Sequence, residues 1–144
     1  MHNLKRQKYI FLLLSYLFCL SFWGCREDIY DPNNKDSSIN EPITISYRNS
    51  YSFLINARQI TYYVADSTQI DGPAAQLSVS LDNYQAGYVE VYITDLQKNS
   101  VYSGRFNSNI KSMTAYLNGH LPERLALNFQ NFSGNLRIDI NSSF

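Results

Sequence analysis

Alternation of apolar and polar residues runs through most of this chain and constrains its fold more than any other feature. It is clearest at 88–93, which reads Tyr88, Val89, Glu90, Val91, Tyr92, Ile93. Successive side chains of a β-strand point to opposite faces, so a period of two predicts strands that are buried on one side. The period recurs at 43–47, 51–55, 60–64, 77–81, 89–93, 101–106, 113–117, 125–129 and 136–140. After residue 43 we find no helical period of about 3.6 residues.

Turn-forming sequences separate these segments at intervals of roughly ten residues. They contain glycine, asparagine, aspartate or proline and lie at 71–73, 82–83, 86–87, 98–99, 118–119 and 133–134. Short strands joined by turns are typical of an antiparallel β-sandwich. We therefore expect an all-β domain of seven to nine strands over residues 43–144, preceded by a signal helix and a flexible tether. A small β-barrel has the same sequence signature and is the alternative.

The first 24 residues have the layout of an export signal. Lys5, Arg6 and Lys8 precede an apolar stretch that runs from Tyr9 to Trp23. Positive charge followed by a short apolar segment is the secretory pattern. The apolar stretch is also shorter than the roughly 20 residues that a membrane-spanning helix needs.

The leader ends in Phe22-Trp23-Gly24-Cys25. A small residue directly before a cysteine resembles the lipobox of bacterial lipoproteins. The resemblance implies that a peptidase cuts before Cys25 and that a lipid, such as a palmitate-bearing diacylglycerol, is attached to its sulfur. Residues 1–24 would then be the signal peptide, 25–42 a disordered tether and 43–144 the folded domain. An ordinary signal peptide with an incidental cysteine and an uncleaved helical anchor are the alternatives.

An acidic cluster follows the cysteine: Arg26-Glu27-Asp28-Ile29-Tyr30-Asp31. It resembles the export signal of surface lipoproteins in the Bacteroidetes group, which implies a location at the outer membrane, facing outward. The periplasmic face is the alternative location. Residues 31–38 have the composition of a disordered linker, so the acidic residues also suit a solvated tether.

Charge and cysteine content exclude several classes of protein. Without Lys5, Arg6 and Lys8 the chain has nine basic and twelve acidic residues, a net charge of −3. That balance argues against nucleic acid as a partner, because nucleic acid requires a clustered basic face. Cys19 lies in the leader and no cysteine follows Cys25, so the domain has no internal disulfide.

The sequence offers little for catalysis. His120 is the single histidine after the leader and lies in a predicted turn, and no nucleophile elbow, zinc motif or phosphate-binding loop is present. Asp31, Asn33 and Asp36 lack the glycine and distal glutamate of a calcium loop. The carboxylates of Asp82, Glu90 and Asp95 have no spacing that favours glycoside hydrolysis. We expect no enzyme, no cofactor and no metal site.

Tyrosine is the residue type that could contribute most to binding. The chain has 12 tyrosines, and several lie on predicted strands opposite an apolar face. An exposed tyrosine offers a flat amphipathic surface to a sugar ring or a protein partner. We predict Tyr62, Tyr88 and Tyr92 as ligand contacts. The alternative is that these tyrosines only pair across strands, at about 0.2–1 kcal/mol per pair.

The segment Gly87 to Asp95, followed by Val101-Tyr102, resembles strands of small immunoglobulin-like domains in secreted bacterial lipoproteins. The resemblance implies an immunoglobulin-like sandwich and no particular activity. Our leading hypothesis is a lipid-anchored, non-catalytic binding or accessory module at the cell surface, which binds a glycan or a protein. A structural subunit that joins an envelope assembly through a strand edge is the alternative.

Overall fold

The computed structural model describes residues 38–72 and 74–143. They contain six antiparallel strands and no helix: β1 Ile43–Tyr47, β2 Ser50–Ser67, β3 Ala74–Thr94, β4 Ser100–Phe106, β5 Ile110–Asn118 and β6 Arg124–Ser142. The strand order is β1-β2-β6-β3-β4, with β5 beside the first half of β3.

Three of the strands are long enough to run through two layers. β2, β3 and β6 have 18, 21 and 19 residues, against roughly five or six in an ordinary strand. Layer 1 contains β1, β5 and residues 50–57, 74–82 and 134–142 of the long strands. Layer 2 contains β4 and residues 60–67, 86–94 and 124–132.

Contacts between residues that are far apart along one strand show that the layers face each other. Tyr51 and Asp66 lie on the same strand and would be roughly 50 Å apart if it were straight. The Tyr51 hydroxyl nevertheless donates to Asp66 Oδ2 at 2.7 Å. The rings of Phe53 in layer 1 and Phe129 in layer 2 stack with centroids 6.3 Å apart.

The core between the layers is built by the period-two pattern. The inward-facing residues of both layers form one cluster in which the largest fully buried side chains are Tyr51, Phe53, Leu77, Leu81, Ile93, Leu125, Leu127, Phe129, Phe132, Leu136, Ile138 and Ile140. Polar residues alternate with them on the outer faces. Burial of this apolar area is the main force that holds the two layers together.

Each long strand bends between the layers where its backbone leaves the extended conformation. Gln59 of β2, Asn83 of β3 and Asn131 of β6 have φ values of 53°, 52° and 46°. The pairing register shifts at the same places, which marks β-bulges. Gly87 adds a φ of 75°, and a Cβ there would lie 2.3 Å from the carbonyl oxygens of Gln130 and Asn131.

The predicted all-β, antiparallel class is confirmed, and all nine predicted segments lie in strands. The described part of the chain has six strands and not seven to nine, because three pairs of predicted segments are halves of single bent strands. These pairs are 51–55 with 60–64 in β2, 77–81 with 89–93 in β3, and 125–129 with 136–140 in β6. Within the described residues β1, β4 and β5 each have a neighbour on one side only, so the sheet is open and not a closed barrel. Strands shared between layers also distinguish it from the two separate sheets of an immunoglobulin domain.

The residues before β1 contact the domain. Ile39 forms a parallel bridge with Asn56, and the Asn40 side chain accepts from the Arg58 amide at 2.6 Å. Both residues fall within the segment predicted as tether. The proposed boundaries at 24 and 42 remain predictions, as does the leader, which lies outside the described residues. The described ranges contain no helix long and apolar enough to cross a bilayer.

Candidate functional site

The outer face of layer 2 gathers most of the side chains that could bind a ligand. In the second half of β3, Val89, Val91 and Ile93 are fully buried, so the residues between them point outward. Cross-strand pairing places residues of β2, β6 and β4 on the same side. We name this surface the tyrosine face; it comprises Tyr63, Ala65, Tyr88, Glu90, Tyr92, Thr94, Ser103, Arg105, Arg124, Ala126, Asn128 and Gln130.

Three tyrosines lie on this face at different exposures. Tyr63 is 61% exposed and Tyr92 38% exposed. Tyr88 is half-buried, and the Arg105 guanidinium lies 4.3 Å from its ring centroid in a cation–π arrangement. Tyr63 and Tyr92 therefore offer open ring surface, whereas Tyr88 supports Arg105.

A hydrogen-bonded row crosses the face beside the tyrosines. Glu90 accepts from Arg105 Nε at 3.1 Å and Nη2 at 2.5 Å, and from Asn128 Nδ2 at 3.0 Å. Gln130 Nε2 in turn donates to Asn128 Oδ1 at 3.0 Å. The four side chains come from three strands and fix one another's orientation, which reduces the ordering cost of binding a polar ligand.

These contacts set the protonation of the row. The hydrogen bond from Arg105 lowers the pKa of Glu90 below its ordinary 4.5, and the weaker effect of the Asn128 hydrogen bond acts in the same direction. The same bond to Glu90 raises the pKa of Arg105. Desolvation, followed by the hydrogen bond with Glu90, raises the pKa of the Tyr92 phenol. Near neutral pH the row thus contains a carboxylate and a guanidinium, with the neutral phenol of Tyr92 beside them.

Two of the three predicted tyrosines, Tyr88 and Tyr92, lie on this face. Tyr62 faces inward, where its ring stacks on Phe129 with centroids 6.4 Å apart. It is 44% exposed and lines a shallow cleft with Asn40, Pro42, Ile60 and Thr61. Its neighbour Tyr63, which is not among the predicted ligand contacts, takes the outward position.

The bulge in β2 changes which residues of this strand face the core. Before the bulge the odd-numbered residues face the core, as Phe53 does, and after it the even-numbered residues do, as Val64 does. A slip of one residue reverses which side chains are outside. The alternation at 60–64 contained the signal, because it groups Tyr62 with Ile60 and Val64 on the apolar side and leaves Tyr63 on the other.

Asp95 and His120, two of the catalytic candidates considered in the sequence, lie close together outside the tyrosine face. Asp95 is buried and accepts from the Asn99 amide at 2.8 Å and from Asn99 Nδ2 at 3.0 Å. The hydrogen bond from the Asn99 side chain contributes most to lowering the pKa of Asp95, and the bond from the Asn99 amide adds to it. His120 Nδ1 lies 3.7 Å from Asp95 Oδ2. Within residues 38–72 and 74–143 no serine hydroxyl bonds His120, and no group of three or more His, Cys, Asp or Glu residues could hold a metal ion.

The outer face of layer 1 is also polar but differently built. Ser50 and Ser52 donate to Asn141 Oδ1 at 2.8 Å and to Asp139 Oδ1 at 2.6 Å. Its two exposed tyrosines, Tyr47 and Tyr116, are 69% and 67% exposed and lie on the edge strands β1 and β5. Because the full width of layer 1 separates them, this face does not bring two exposed tyrosines close together.

Comparison with known proteins gives no family assignment. No family model and no curated protein sequence matches the chain. Among solved structures, BiXyn10A CBM1 in its apo form is 16% identical with a TM-score of 0.40 and covers 65% of this chain and 74% of that chain. A mutant of CBM29-2, a family 29 carbohydrate-binding module, is 13% identical with a TM-score of 0.36 and covers 70% and 72%.

A catalytic protein also shows a likeness at lower similarity. The enzymatically active domain of tailspike protein 4 of bacteriophage CBA120 is 16% identical with a TM-score of 0.28 and covers 68% of this chain and 14% of that chain. The structural neighbours are thus mainly carbohydrate-binding modules. At TM-scores of 0.40 and below, none of these likenesses determines the ligand of this chain.

Proposed function

We propose that the chain is a non-catalytic module that binds a glycan on the tyrosine face. The observation that carries the proposal is the juxtaposition of open rings, Tyr63 and Tyr92, with the fixed row from Arg105 to Gln130. A sugar ring has apolar C–H surfaces and hydroxyls around its edge, so it needs an aromatic surface beside donors and acceptors. A flat sheet face supplies both without a deep pocket.

The test is glycan-array binding by the purified full-length chain in detergent. Tyr92→Ala and Tyr63→Ala should each weaken binding at least about fivefold, since each removes a stacking surface worth roughly 1 kcal/mol or more. Tyr116→Ala is the control, because it removes from the other layer a tyrosine about as exposed as Tyr63, 67% against 61%. Equal losses in all three variants, or binding unchanged in the first two, would contradict the proposal.

The open strand edges favour a second candidate function. Within the described residues, β4 pairs only with β3 and leaves one edge of Ser100–Phe106 without a strand. Such an edge can accept a strand from another chain, as in a structural subunit of an envelope assembly. Co-purification of a fixed envelope protein, combined with the absence of glycan binding, would favour this candidate.

We further propose that the module is held at the bacterial outer membrane by a lipid on Cys25 and faces the outside. The basic and apolar leader, Gly24-Cys25 and the acidic residues that follow support this proposal. Labelling with a palmitate analogue should be lost in Cys25→Ala, and equal labelling of both proteins would exclude the anchor. Digestion of the domain by protease added to intact cells would support the outward location, whereas protection until lysis would indicate the periplasmic face.

A further inference from the structure

The smallest side chains of the tyrosine face, Ala65 and Ala126, lie between its two open tyrosines, and we call this low area the depression. Ala126 of β6 pairs with Ala65 of β2 on one side and with Tyr92 of β3 on the other. Because alanine has the smallest side chain on this surface, the floor at Ala65 and Ala126 lies below its neighbours. From β2 to β3 it spans about 10 Å, two inter-strand distances. Tyr63, one same-face step along β2 from Ala65, borders it on another side.

Arg124 borders one end of the depression. It precedes Ala126 by two residues on the same face of β6, about 7 Å along the strand. It is exposed, and its cross-strand neighbours are Ser67 and Thr94. Asn128 borders the opposite end, two residues after Ala126.

The two arginines of the face differ in their electrostatic state. Glu90 neutralises Arg105 at 2.5 Å, whereas no acidic side chain of the described residues lies within ion-pair distance of Arg124. Glu123 is the nearest carboxylate by sequence, and its Oε1 accepts from the Ser67 hydroxyl at 3.3 Å. Arg124 is therefore the uncompensated cation beside the depression, whereas Glu90 and Arg105 near the opposite end neutralise each other.

We propose that the tyrosine face selects an acidic polysaccharide, with a uronate ring over Ala126 and its carboxylate on the Arg124 guanidinium. This inference rests on the proposed glycan-binding function and adds the class of sugar. A guanidinium matches a carboxylate with two parallel N–H donors. At the Asn128 end Arg105 is already paired with Glu90 and offers no free positive charge, so the ring is oriented with its carboxylate toward Arg124.

The test compares acidic polysaccharides with their neutral esters on the full-length chain. The two acids are polygalacturonate and alginate, and each is compared with its own methyl ester. For at least one of the two, the acid should bind about tenfold more tightly than the ester, which corresponds to about 1.4 kcal/mol. Arg124→Gln should reduce the affinity for that acid to the level of its ester and leave the ester unchanged. Raising the salt concentration should have the same effect on the wild type.

Lys111→Gln is the matched control, because it removes one positive charge from β5 in layer 1. It should change neither affinity. The inference is overturned if esters bind as tightly as acids, if Arg124→Gln weakens both alike, or if none of the four polymers binds. The proposed function fails separately if a polymer binds but Tyr92→Ala leaves its affinity unchanged.

Discussion

Glu90 holds the polar side chains of the tyrosine face in place. Its two carboxylate oxygens accept hydrogen bonds from Arg105 and Asn128, and Asn128 in turn orients Gln130. Arg105, fixed by Glu90, covers the ring of Tyr88. Loss of the Glu90 charge should therefore loosen four other side chains of the face.

The first prediction concerns acidity. Because its contacts lower the pKa of Glu90 below 4.5, the stabilisation from its carboxylate is fully present above that pH and is lost as the pH falls through the folded-state value. Glycan affinity and the free energy of unfolding should decline below about pH 4.5, and less steeply in Glu90→Gln. Titration calorimetry and urea denaturation at a series of pH values measure this. Parallel pH profiles of the two proteins would show that Glu90 is not responsible.

The second prediction concerns the hydrogen bond between the layers. Burial, followed by the bond to Asp66, raises the pKa of the Tyr51 phenol, so Tyr51 stays a donor throughout the physiological range. Tyr51→Phe removes that donor and should lower the free energy of unfolding by about 1–2 kcal/mol. Tyr47→Phe, at an exposed position, should change it by less than about 0.5 kcal/mol. Urea denaturation compares the two, and equal small effects would mean that the bond contributes nothing.

Side-chain orientation could be predicted from the sequence only where a strand is regular. Val89, Val91 and Ile93 are buried as expected, so Tyr88 and Tyr92 point outward. In β2 the bulge between Ala57 and Tyr62 reverses the alternation, and its position depends on the partner strand β6. Within 60–64 the alternation already groups Tyr62 with Ile60 and Val64, so Tyr63 could have been selected from the sequence. The sequence did not show that 51–55 and 60–64 belong to one strand with a bulge between them.

Among the structural elements, the bend in the three long strands determines the architecture. It allows one sheet to cover its own apolar face, so β2, β3 and β6 each contribute to both layers. Left-handed backbone at Gln59, Asn83 and Asn131 produces the change of direction, at a cost of about 1–2 kcal/mol for each non-glycine residue. Close approach of the bent strands also requires a glycine at position 87.

The third prediction tests that glycine against a matched one. Gly87 and Gly119 have nearly identical φ values of 75° and 76°, but a Cβ would meet two carbonyl oxygens at Gly87 and nothing within 4 Å at Gly119. Gly119→Ala should cost about 1–2 kcal/mol from backbone strain alone. Gly87→Ala should cost at least about 2 kcal/mol more, because backbone atoms must move. Thermal unfolding measures the difference, and equal costs would show that close packing at the bend is unimportant.

The existence of nine strand segments could be predicted, but their continuity could not. The Asp82-Asn83, Ala86-Gly87 and Ser133-Gly134 pairs have the composition of turns, and glycine or asparagine is favoured in both settings because both use positive φ. Asn118-Gly119 is a true turn with the same composition. Whether the chain reverses or only bends at such a pair depends on the strands beside it.

At the scale of the whole molecule, the shared strands couple the two layers. The inward faces of both layers form one cluster. The Phe53 ring of layer 1 stacks on the Phe129 ring of layer 2, and Phe129 also contacts Phe132, with 5.4 Å between those two ring centroids. Neither layer can lose its inner face without exposing that of the other to water. Since β2, β3 and β6 pass through both, one layer also cannot separate as an independent unit.

The last prediction is that the domain unfolds as one cooperative unit. Ile138 in layer 1 and Ile93 in layer 2 are both fully buried, so Ile138→Val and Ile93→Val form a matched pair. Each should lower the free energy of unfolding by about 0.5–1.5 kcal/mol, and each should reduce amide protection in both layers by the same factor. Hydrogen exchange in mild denaturant, followed by mass spectrometry of peptides around Val79 and Val91, measures protection in each layer. If each substitution lowered protection only in its own layer, the layers would be separate folding units and the bent strands would be hinges between them.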